Sequence, residues 1–171
     1  MSTRLLMIAL ALLAGCGGPT RPPPPPHSFD GLPVSGSLDD ALRSGFTNCY
    51  RDTTAMRCRR NGVMLLGFGP FNAAVDLNGN NGGGGFDELI LWHDRDQNAF
   101  FEMGTALERQ GWRSCYTGVG NRGNQAIYTR QGTRVRISMD LSYWGKRRLR
   151  VIPEWNQREP GCEQPPPGGP G

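Results

Sequence analysis

Apolar residues recur along this chain with two different periods, and the switches between them mark out its elements. Around Ser37 to Gly45, Leu38, Ala41 and Leu42 share one helical face, with Ser37 placed as an N-cap, Asp40 three residues on and Gly45 as a stop. Asp94 to Gly111 follows the same design at greater length. Asp94 and Gln97 stand in the capping arrangement, Phe100, Met103 and Leu107 recur at helical spacing, and Gly111 closes the segment. Downstream of each predicted helix the pattern turns to alternation, the mark of strands with one buried face. The first set is expected near residues 48–51, 56–60, 62–77 with a break at Gly69-Pro70, and 86–92; the second near 113–117, 125–130, 133–143 and 147–152. In the last hairpin a turn at Trp144, Gly145 and Lys146 sets Leu141 opposite Leu149, Met139 opposite Val151, and Asp140 opposite Arg150.

The two sets look alike. Gly45, Phe46, Thr47, Asn48, Cys49, Tyr50 parallels Gly111, Trp112, Arg113, Ser114, Cys115, Tyr116, in each case glycine, aromatic, two polar residues, cysteine and tyrosine. This points to an internal duplication. The fold class expected is α+β: two tandem helix-plus-four-strand units, about residues 35–93 and 94–155, forming an antiparallel sheet with two helices on one face, inside a globular domain of residues 35–162. That layout resembles the family of β-lactamase inhibitor protein and related periplasmic modules, a likeness that implies architecture and no residue roles.

Composition changes the picture at both ends. Arg4 precedes an apolar run from Leu5 to Leu13, too short for the roughly 20 residues a membrane span needs and suited to a secretory leader. Leu13, Ala14, Gly15 and Cys16 then resemble the lipobox of bacterial lipoproteins. The resemblance implies a signal peptide over residues 1–15, acylation of Cys16 and attachment to the membrane through covalent lipid. Gly17 stands where that family's inner-membrane retention signal has Asp, so the implied address is the outer membrane, facing the periplasm. Residues 16–34 read as the acylated cysteine and a proline-rich tether, whose Pro22 to Pro26 run forms a stiff polyproline II spacer of about 15 Å. Residues 163–171 read as a disordered Pro/Gly tail. Over the whole chain, 37% hydrophobic and 20% charged residues suit a packed core between these ends, and a formal charge of +4 is too mild for a dedicated nucleic-acid binder. The secretory address also disfavours nucleic acid, and none is expected as a partner.

The candidate chemistry is sparse. In an oxidising compartment Cys49, Cys58, Cys115 and Cys162 are an even set that pairs as disulfides; Cys49 with Cys58 across a hairpin leaves Cys115 with Cys162. Zinc is disfavoured, since no Cys-x-x-Cys occurs and the chain has 2 His. His93, beside Asp94 at a strand-to-helix junction, is the residue a small hydrolase would use, but no serine sits in a nucleophile elbow. Asp76, Asn78, Asn80 and Asp87 fall at the spacing of a calcium loop, without the glycine expected at its sixth position or the glutamate at its twelfth. A glycine-rich hairpin loop explains the same residues. Arg134, Arg136, Arg148 and Arg150, with Tyr143 and Trp144 near the hairpin tip, form the candidate binding surface for an envelope protein or polymer. The resulting expectation is a non-enzymatic, membrane-anchored binding or scaffold lipoprotein without a cofactor, the alternatives being the His93 hydrolase and a calcium-stabilised structural protein.

Overall fold

The computed structural model describes residues 21–96, 98–117, 125–141 and 147–154. Its elements are β1 (His27–Phe29), β2 (Leu32–Ser35), α1 (Leu38–Arg43), β3 (Asn48–Arg51), β4 (Ala55–Leu65), β5 (Phe68–Asn78), β6 (Leu89–Trp92), α2 (Ala99–Arg109), β7 (Arg113–Thr117), β8 (Gln125–Thr129), β9 (Val135–Asp140) and β10 (Arg148–Pro153). Strands β3 to β10 form one antiparallel sheet in the order β3-β4-β5-β6-β10-β9-β8-β7. It consists of two four-stranded meanders joined where β6 pairs with β10.

Alternation dictates the two faces of this sheet. Val75, Leu77, Leu89, Leu91, Leu149, Val151, Ile137 and Met139 point to one side and are sealed from solvent. The cover over that side corrects the α+β expectation of two helices on one face: the chain is mostly β, and helix accounts for 6 residues in α1 and 11 in α2. Helix α1 is capped as its sequence predicts, with Ser37 and Asp40 bonding reciprocally, yet it buries only Ala41. A helix this short cannot cover half a sheet. A β1–β2 hairpin completes the cover, with Leu32 and Val34 in the core and the Phe29 ring 5.8 Å edge-on from Trp112. These residues fall within the segment read as tether. Asp30 and Gly31 form its turn with φ of 50° and 74°, the left-handed pair that a tight hairpin requires.

The proline run ahead of the hairpin does not stand clear of the domain. Ser35 Oγ donates to the Pro25 carbonyl at 2.8 Å. A side chain on Gly85, in the β5–β6 loop, would come within 2.6 Å of Pro23 and 2.9 Å of Pro24. The prolines therefore lie against that loop, where only glycine leaves room for them.

Three further expectations shift. The turn between β4 and β5 falls at Leu66 and Gly67, with φ of 52° and 82°, rather than at Gly69-Pro70; residues 62–65 thus belong to β4. Helix α2 begins at Ala99, after Asn98, because His93 and Asp96 make local side-chain bonds that compete with helix: the Asp96 carboxylate accepts from the Asn98 N–H at 2.8 Å. In the last hairpin Leu149 faces Met139, Val151 faces Ile137 and Arg150 faces Ser138. The register slides by two residues, which keeps every side chain on its expected face and lengthens the connection.

Helix α2 packs on the sheet through Phe100, stacked on Phe71 at 5.0 Å, and through Gly104, which lies beside the Tyr128 side chain of β8. A methyl group on Gly104 would meet the Tyr128 hydroxyl at 2.5 Å. Alanine normally favours a helix over glycine by about 1 kcal/mol. Here Gly104→Ala should instead destabilise by about 1–3 kcal/mol through overpacking. Combining it with Tyr128→Phe should recover part of that loss, measured by urea unfolding.

Burial, with the charges of Glu108 and Tyr116, pushes Tyr128 up to about 12. The ordinary tyrosine value is about 10. Between these values the folded state holds a proton that the unfolded chain has lost, so stability is complete below about pH 10 and falls toward pH 12. Tyr128→Phe should flatten this decline in an unfolding series across the window.

Candidate binding face

The face turned away from the core carries the polar half of each alternating strand. Register aligns these residues into rows across the strands. Asn48, Arg59, Ala74, Ile90 and Arg150 make the middle row. Asn72, Trp92 and Arg148 flank it on one side, and Tyr50, Arg57 and Asp76 on the other. Ala74 is small and sits between long neighbours, so the surface dips there into a depression of about 370 Å³ with Ala74 and Ile90 in its floor.

Its arginines are held in two different ways. Arg57 donates Nε and Nη2 to the two carboxylate oxygens of Asp76, a bidentate pair that raises its pKa and neutralises its charge. The Arg59 guanidinium lies 4.9 Å from the Tyr50 ring centre and 5.6 Å from that of Trp92, and its Nη2 donates to the Tyr50 hydroxyl at 2.9 Å. Aromatic faces orient the cation without cancelling its charge. At the rim, Asn72 donates to Asp94 at 2.7 Å.

The arginine patch expected from the sequence divides in this setting. Arg148 is exposed and lines the depression. Arg136 and Arg150 instead form ion pairs with Glu154 at 3.7 Å and Glu88 at 3.8 Å. Arg134 is exposed, and its carbonyl accepts the Glu154 N–H at 2.8 Å. Tyr143 and Trp144 lie outside the described residues. Tyr50, Arg57, Arg59 and Trp92 were missed. The signal was available in the alternation of β4, which sends Arg57 and Arg59 outward while Met56 and Cys58 go in.

The other candidates have local roles. His93 Nδ1 accepts the Asp96 N–H at 2.7 Å and the Arg95 N–H at 3.3 Å, fixing the turn into α2. Used this way, the Nδ1 lone pair places the proton of a neutral ring on Nε2. The Cys49–Cys58 disulfide joins directly opposed residues, with Cα atoms 4.0 Å apart, and staples edge strand β3 to β4. Cys115, on the opposite edge strand β7, is also disulfide-bonded; Cys162, its expected partner, lies outside the described residues, as does Cys16.

Among the described residues no cluster of three His, Cys, Asp or Glu could hold a metal. Of the suggested calcium residues, Asp76 is paired with Arg57, and Asn78, Asn80 and Asp87 are exposed. Backbone bonds close the loop, the Gly82 N–H donating to the Gly79 carbonyl at 2.9 Å and the Gly85 N–H to the Gly82 carbonyl at 3.1 Å. Millimolar calcium should therefore leave the melting temperature unchanged in a thermal titration, and Asp76→Asn should cost about 1 kcal/mol through loss of its pair with Arg57. Among the described residues no helix is long and apolar enough to cross a membrane. Compared with known protein families, with curated proteins and with solved structures, the chain has no match.

Proposed function

We propose that this chain is an envelope lipoprotein, anchored through acylated Cys16 at the outer membrane and facing the periplasm, that acts as a non-enzymatic binding module. The leader and the Leu13 to Cys16 motif support the anchor. The observation that carries the binding role is Arg59, a cation held in place by two aromatic rings at the edge of a depression in the sheet. A solvated surface arginine has no need of such positioning. Fixing a long side chain in advance removes an ordering cost from association. The internal duplication belongs to the same reading, supported by the two meanders that meet at β6 and β10.

Two measurements test the proposal. Cys16→Ser should move the protein from the membrane fraction to the soluble fraction of the cell. A photo-crosslinking residue in place of Asn48, inside the depression, should give a defined adduct in living cells, whereas one in place of Thr105, exposed on α2, should give none. Equal labelling from both sites, or none from residue 48, would refute the binding role.

A further inference from the structure

We infer that the depression on the sheet binds a carboxylated glycan, laid across the strands. This rests on the binding role proposed above and names its ligand class. The first argument is charge. Arg57 and Arg150 are matched by Asp76 and Glu88, whereas Arg59 is positioned by uncharged rings and Arg148 stands exposed at the opposite wall. Asp94 is the one acid among the described lining residues, and Asn72 already donates to it. A guanidinium at each side of the basin, with a small apolar floor between, suits a ligand that carries carboxylates along its length.

The second argument is the kind of hydrogen bonding on offer. Apart from Asn48 on edge strand β3, the strand residues of the lining lie on β4, β5, β6 and β10, each flanked by a strand on both sides, so over the floor the strand backbones are used in the ladders. An extended peptide lying over the floor cannot add itself as another strand, which is how peptides gain most of their contacts from sheets, and the open edge of β3 lies at the rim. Recognition has to come from side chains, and those available are amides. Asn48 and Asn61 are exposed in the basin, and each amide both donates and accepts. Hydroxyl groups present the same dual character, so a polyhydroxylated chain satisfies amides that an aliphatic acid would leave unmatched. The third argument is reach. Five strands at about 4.8 Å spacing make a track of roughly 19 Å from Asn48 to Arg148, long and shallow enough for several sugar rings in line.

The test is calorimetric titration of the purified full chain in detergent with tri-galacturonate, with its neutral methyl ester, and with hexaglutamate. Tri-galacturonate should bind, its affinity should fall with added salt, and the ester should bind at least tenfold more weakly. Arg148→Glu, at an exposed position that leaves the core untouched, should weaken tri-galacturonate tenfold or more while the melting temperature holds. Ala74→Gln, which fills the floor, should have the same effect by a different route. Absence of tri-galacturonate binding, equal binding of the ester, indifference to Arg148→Glu, or stronger binding of hexaglutamate would each overturn the inference. An adduct at residue 48 in cells without tri-galacturonate binding would remove the glycan and leave the binding role standing.

Discussion

The pairing of β6 with β10 is the contact on which the rest depends. It turns two meanders into one sheet, and its two faces do different work. Leu91 opposite Leu149 and Leu89 opposite Val151 form the middle of the core. On the reverse side Trp92 meets Arg148 and Ile90 meets Arg150, so the same four-residue ladder supplies the floor and one wall of the depression. Arg59 and Arg148 come from different meanders and share a site only because this junction brings them within one sheet.

What the sequence made legible was periodicity. Ser37 and Asp40 mark the start of α1, Gly111 follows the end of α2 in a left-handed conformation, and the facing of Cys49 with Cys58 follows from the short hairpin between them. The polarity of the long strands could also be read, because burial on one side forces a period of two. Less legible was anything settled by competition between nearby groups. The start of α2 is decided by His93 and Asp96 bonding to the following backbone, against the capping role that spacing alone assigns to Asp94. Pro33 and the five prolines before it disguised a hairpin whose Asp30-Gly31 turn is otherwise a strong signal. The helical cover was overestimated because α1 ends before it can bury a second turn, leaving Leu32 and Val34 of the hairpin to complete the core.

The candidate site was legible only in part, for a related reason. Periodicity shows which residues face outward, but not which rows of neighbouring strands coincide. Arg148 could be nominated from its own hairpin. Its grouping with Trp92 and Arg59 required the order of strands, in which the last strand inserts beside the fourth of the main sheet rather than at an edge. Charge pairing is equally invisible along the chain: Arg136 and Arg150 look equivalent to Arg148 until Glu154 and Glu88 are placed beside them.

If Cys16 is acylated as proposed, the seating of Pro23 and Pro24 against Gly85 bears on how the domain would meet a bilayer. With the prolines committed to the body, the chain between an acylated Cys16 and Pro22 is only residues 17–21, so at full extension the two ends lie about 21 Å apart. A mooring line that short does not let the domain roam. Under that proposal it would hold one end of the sheet, the glycine loop between β5 and β6, near the headgroups, and restrict the protein to partners found in the layer next to the anchoring membrane.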